Sequence, residues 1–310
     1  MPNEPSRHHY VPESYLQGWV DSTSRRLWRC VRTPIGGLHD KAVSPRSTGF
    51  EWDLYKFSDA TPLLPAANPN FVEKEFFQKI DNDGALALAA LRDVGIGGLD
   101  ESGRDAWAIF LNALLERRPD RLALLEERAR AVADRTFHAL QAESEPDDQQ
   151  RFAQLLTDEV RGGMSRNFVR QHMMERISNA SAIEQIKRGR WVILKNFNPE
   201  FEFITTDAPI VLNYGTTQSS LQVLGIALTP EKLFFVYPQE WADDAESREA
   251  LGLMAFVHNV LLLDAPCTYI YSRTELTDGD TVYLRRAADL WLGRPERLRE
   301  ALAPVPDRQP

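Results

Sequence analysis

Between residue 70 and about residue 190 the apolar side chains recur at the three–four spacing of a helix, and on either side of that block they do not. A chain that segregates its two patterns in this way cannot be built from alternating strand and crossover helix. The class it predicts is α+β: a central helical block packed on a mainly antiparallel C-terminal sheet, with an N-terminal strand-containing segment. Trp107, Phe110, Leu111, Leu114 and Leu115 make the clearest stripe, and Pro119 breaks or kinks the helix that carries it. Asn70 is placed to cap the first helix, with Glu73 at the third helical position of a capping box. Leu122, Leu125, Ala129 and Val132 continue the period. Phe152, Leu155, Leu156 and Val160 open a further helix that Gly162-Gly163 interrupts, and Gly189 stops the block.

Residues 1–70 are rich in Pro, Gly and aromatics. A short strand is expected at 27–31, a turn at 34–37, an extended segment at 50–55 and a loop at 61–69. The last third carries short apolar runs at 191–194, 201–205, 225–228, 233–237 and 268–271. These lie mostly too close together for helical crossovers, which favours antiparallel pairing. One helix over about 242–263 interrupts them. The organisation expected is one domain over 1–310, divided into 1–70, 71–190, 191–285 and a C-terminal tail or helix at 286–310.

Composition excludes several classes. With 43% hydrophobic and 26% charged residues the chain is neither disordered nor membrane-like. Its longest apolar stretch, 251–263, is broken by His258 and Asn259 and falls well short of the roughly 20 residues of a membrane helix. No apolar leader follows the first residues, so no secretory signal is expected. Two cysteines far apart, Cys30 and Cys267, suggest neither a disulfide framework nor a C-x-x-C site, which points to a reducing, cytoplasmic setting. A net charge of −9 leaves no broad basic surface for nucleic acid, though a local basic site is still allowed.

Five places carry chemistry. His8 and His9 offer proton transfer near neutral pH or metal ligation, and Pro12 gives their segment an extended course. The plainer reading is an exposed histidine pair, against which stand the downstream Tyr10, Tyr15, Leu16 and Trp19. Strand alternation from Phe201 puts Phe203, Thr205 and Asp207 on one face, which aims a carboxylate towards the apolar side and implies a partner for it. Alternatively Asp207 caps a turn through its own backbone. Three residues beyond Leu115, Arg118 starts on the core-facing side and can clamp a carboxylate or phosphate, or else snorkel from a helix end. Arg117 is expected in solvent. His258 and Asn259, inside an apolar helix, need hydrogen-bond partners across the core. Glu73 is readable as a capping residue alone, and Glu75 faces either way.

His8-His9-Tyr10-Val11-Pro12 with Tyr15-Leu16, Asp53-Leu54-Tyr55, Val72-Glu73-Lys74-Glu75-Phe76, Arg117-Arg118-Pro119, the segment from Ile204 to Pro209, and Ala227-Leu228-Thr229-Pro230 occur in an order that resembles a bacterial family of unknown function opening on His-His-Tyr-Val-Pro. Thr206-Asp207 stands where that family usually has Ser-Asp. The resemblance groups His8, His9, Glu75, Arg118, Asp207 and Asn259. Two imidazoles, two carboxylates, a guanidinium and an amide form a hydrolytic kit, in which an imidazole or a divalent metal on His8, His9 and Asp207 activates water and Arg118 neutralises a developing oxyanion. The function expected is hydrolysis of a phosphodiester or other phosphorylated substrate, whether a small molecule or a nucleic acid. The alternative is a non-catalytic module that binds a ligand or protein and whose polar cluster is structural.

Overall fold

A computed structural model describes residues 6–32, 38–59, 68–196, 202–212, 223–237, 239, 258–263 and 265–276. The turn expected at 34–37, most of the loop at 61–69, most of the helix from 242 and the tail at 286–310 lie outside these residues.

The helical block holds α2 (Gln78–Asp93), α3 (Glu101–Glu116), α4 (Pro119–Glu143), α5 (Pro146–Leu155), α6 (Asp158–Ile177) and α7 (Ala180–Arg188). Local chemistry sets the starts. Asp100, Thr157 and Asn179 each accept a backbone N–H from the first turn of α3, α6 and α7, and proline opens α4 and α5. The break expected at Gly162-Gly163 falls earlier, because Thr157 caps a new helix that then runs through both glycines. Asn70 makes no side-chain cap. The chain instead enters α2 through a π-helical turn at Val72–Phe77, which carries no side-chain cap. On α3, Trp107, Phe110, Leu111 and Leu114 are buried, and Trp107 stands edge-on to Phe234 where the helices meet a sheet.

Strand pairing departs from the single C-terminal sheet expected. One four-stranded sheet has the order β5 (Arg190–Lys195), β9 (Lys232–Tyr237), β8 (Leu224–Thr229), β7 (Ile210–Leu212). The other has the order β3 (Leu38–Val43), β2 (Leu27–Arg32), β10 (Tyr269–Ser272), β6 (Thr205–Thr206), so two late strands complete an N-terminal hairpin. β1 (Arg7–His9) and β4 (Phe50–Trp52) form a separate ribbon. Every pair among the described residues is antiparallel, and the α+β class holds.

A short helix, α1 (Glu13–Leu16), docks the N-terminal motif between the two larger sheets. The Tyr15 hydroxyl donates to the Ala227 carbonyl of β8 at 2.8 Å and bonds Thr205 Oγ1 of β6 at 2.8 Å, and Trp19 Nε1 donates to the Phe203 carbonyl. Arg92 at the end of α2 donates to the carbonyls of Ser14, Tyr15 and Leu228. The N–H groups of Tyr10 and Val11 both reach the Gly49 carbonyl. Gly49 has φ +67°, and a Cβ there would lie 3.0 Å from Val11 Cβ. A continuous hydrophobic core runs from Tyr10 through α2 and α3 to Tyr271.

Candidate functional site

Pairing of β1 with β4 sets His8 opposite Glu51 and His9 opposite Phe50, and strand alternation sends the two imidazoles to opposite faces. His8 is fully buried. Its Nδ1 accepts the Tyr55 N–H at 2.9 Å and its ring stacks on Tyr55, so a neutral ring carries its proton on Nε2. Burial above all holds its pKa down at about 4; Arg166, Arg170 and Lys56 push the same way, against Asp53. The Tyr55 hydroxyl continues the chain by donating to the Arg117 carbonyl at 3.0 Å.

His9 faces a second group. Its Nε2 lies 3.6 Å from Glu13 Oε1, and burial again lowers its pKa. The His9 backbone amide lies close enough to the Glu73 carboxyl to lower its pKa, though not enough to offset burial. Burial raises the Glu73 carboxyl to about 7. Nearby Asp81 adds to the rise and Arg117 opposes it. Arg117 corrects the expectation of a solvated side chain, for it is 0% exposed. The chain leaves the helix at Glu116, so helical phase carried past Leu115 assigns Arg117 and Arg118 to the wrong surroundings. Arg117 Nη1 donates to Asp81 Oδ1 at 2.8 Å, and its guanidinium carbon lies 5.2 Å and 5.8 Å from the ring centres of Phe77 and Phe110. Arg117 Nε and Nη2, Glu73 Oε2 and His9 Nε2 are buried without hydrogen-bond partners among the described residues.

Asp207 and Arg118 share a different place, a cavity of about 270 Å³ walled also by Tyr10, Glu51, Asp120 and Thr268. Asp207 is buried just past β6. Both its oxygens accept the Thr268 N–H, at 3.0 and 3.1 Å, and burial raises its pKa to about 6 while Arg118 opposes. Arg118 is the N-cap residue of α4. It grips Asp120 through Nε and Nη2 and donates to the Pro266 carbonyl. Burial also raises the Glu51 carboxyl. Asn259 supports this wall from behind: it accepts the Ile204 N–H and donates to the Glu202 carbonyl, fixing the course of the segment that leads to Asp207. His258 is buried edge-on to Phe203.

Of the six residues grouped from the sequence, Arg118 and Asp207 both line the cavity, and Asn259 does not line it but bonds the segment that leads to Asp207. His8 and His9 do not line it, and Glu75 is exposed. Among the described residues no three of His, Cys, Asp and Glu converge so as to hold a metal ion. The same residues include no helix long and apolar enough to cross a membrane. Sequence reading missed Glu73 and Arg117 as members of a polar cluster, although both stand in segments that carried the family resemblance. Asp81, which joins them, carried no such signal.

No curated protein and no solved structure matches the chain. A protein-family profile described as "Protein of unknown function (DUF4238)" matches residues 7–274, from the start of β1 to just past β10. That span takes in both polar groups, and the chain belongs to the DUF4238 family of proteins of unknown function.

Proposed function

We propose that this protein is a hydrolase of a phosphorylated substrate, with the cavity beside Asp207 as the reaction site. The observation that carries the reading is a buried carboxyl in a cavity wall whose pKa of about 6 populates both its forms near neutral pH. Ionised, Asp207 takes a proton from water. The water oxygen then bonds to phosphorus as the ester P–O bond breaks, and protonated Asp207 returns the proton to the leaving oxygen. Arg118, whose plane is fixed by Asp120 and the Pro266 carbonyl, supplies positive charge that needs no reorganisation as negative charge develops.

Intact protein is assayed on chromogenic phosphodiesters and phosphomonoesters, with and without added divalent metal, beside Asp207→Asn and Arg118→Ala. The expected result is turnover by the wild type and a loss of about 100-fold or more in a folded Asp207→Asn. Undiminished turnover in that variant, or none by the wild type, removes the reading. A second reading, a non-catalytic binding module, is favoured by the pairing of Arg118 with Asp120. It predicts saturable binding of a phosphorylated ligand without turnover.

A further inference from the structure

The polar group on the other side of the motif is independent of that cavity. Arg117 is fixed by three contacts: Nη1 on Asp81, its carbonyl on the Tyr55 hydroxyl, and its guanidinium beside Phe77 and Phe110. The two nitrogens left over, Nε and Nη2, form the guanidinium edge that matches the two oxygens of a carboxylate or phosphate. That edge belongs to a side chain 0% exposed and has no partner among the described residues. Glu73 Oε2 and His9 Nε2 are buried and unpartnered as well, and Arg117 is among the charges that act on both residues. A buried donor pair left unmatched costs more than an ordinary hydrogen bond returns, so such an edge is retained where something fills it.

We propose that Arg117, Glu73 and His9 form an enclosed site for a small monoanionic oxoanion, a carboxylate or a singly charged phosphate, bound through the Nε/Nη2 edge of Arg117. Charge decides the class. Among the described residues Arg117 is the one cation that acts on Glu73, Asp81 already pairs with it, and Glu13 faces His9. The site therefore accommodates at most one negative charge beyond Asp81, on Glu73 or on the ligand but not on both. With the ligand bound, Glu73 is protonated and its O–H donates to a ligand oxygen. Above the Glu73 titration near 7 binding takes up close to one proton from solution and affinity falls as pH rises, whereas well below it Glu73 is already protonated and little proton is taken up.

The test uses calorimetric titration with inorganic phosphate, and separately with acetate, in buffers of different ionisation enthalpy at pH 6 and pH 8. It is run on an Arg118→Ala background so that the cavity beside Asp207 does not contribute. The expected result with acetate is a proton uptake close to one at pH 8 and small at pH 6, where Glu73 is already protonated, with an affinity at pH 6 at least several-fold above that at pH 8. Glu73→Gln is expected to bind acetate with no proton uptake and no difference between the two pH values. Arg117→Lys, which keeps the charge and loses the fork, is expected to bind at least 10-fold more weakly while retaining a cooperative thermal transition. Absence of acetate and phosphate binding, or the same proton uptake at pH 8 in Glu73→Gln as in its parent, overturns the proposal. Neither outcome bears on turnover at Asp207.

Discussion

Replacing Glu73 by glutamine gives the sharpest test of the buried polar group, because it changes protonation without changing shape. In the unfolded chain the carboxyl titrates near 4.5; in the fold it titrates near 7. Between those values the folded state keeps a proton that the unfolded state has released, so stability falls as pH rises through the window. Below it both states are protonated, and above it both are ionised. Each pH unit between is worth about 1.4 kcal/mol, so the wild type loses about 3 kcal/mol across the window. Glutamine keeps the shape of the side chain and cannot ionise. Near pH 5 the two proteins are therefore expected to unfold with similar free energies, and above pH 8 the variant is expected to be more stable by about 3 kcal/mol. Urea denaturation at pH 5, 6, 7 and 8 measures the difference directly, and titrations common to both proteins, such as those of Asp207 and His8, cancel in it. A difference that stays flat over this range refutes the assignment of Glu73 as a carboxyl kept protonated by burial.

Two further substitutions test how the site is held. Gly84→Ala on α2 places a Cβ 2.2 Å from Phe110 Cδ2, so the usual gain of about 1 kcal/mol from glycine to alanine in a helix is outweighed by overpacking of about 1–3 kcal/mol. A lower melting temperature is expected by calorimetry, and a higher one shows that α2 and α3 are not so closely packed. Tyr15→Phe removes the hydroxyl that joins Thr205 and Ala227, at an expected cost of about 1–3 kcal/mol in chemical denaturation; an unchanged midpoint contradicts that clamp.

Elements set by local chemistry were legible in the sequence. The stripe on α3 and the strands β2, β5, β8 and β9 follow from periods that need no tertiary information. What depends on distant partners was not. That β6 and β10 join β2 is a choice among edges that side-chain alternation cannot rank. Asp207 stands out in the sequence because a carboxyl in an apolar run demands an explanation, and Arg118 because of its place next to the helix stripe; the fold puts both in the wall of one cavity. Helical phase misled at its neighbour: Arg117 begins where α3 ends, and its burial is set by Asp81 and Tyr55 from other elements. The capping box read at Asn70 and Glu73 does not form, because the helix starts on a π-helical turn at Val72–Phe77 that the local pattern does not signal.

The pairing of β2 with β10 has a consequence for how the chain is made. Trp28 finds Ser272 and Cys30 finds Ile270, so the hairpin of β2 and β3 emerges from the ribosome with one edge bare, and it stays bare through synthesis of all the helices from α2 to α7. The helical segment can organise during that interval through its own local contacts, whereas the sheet beneath the N-terminal motif closes last. A nascent chain halted before β10 would thus carry a formed helical block and an exposed strand edge, the kind of intermediate on which chaperones act.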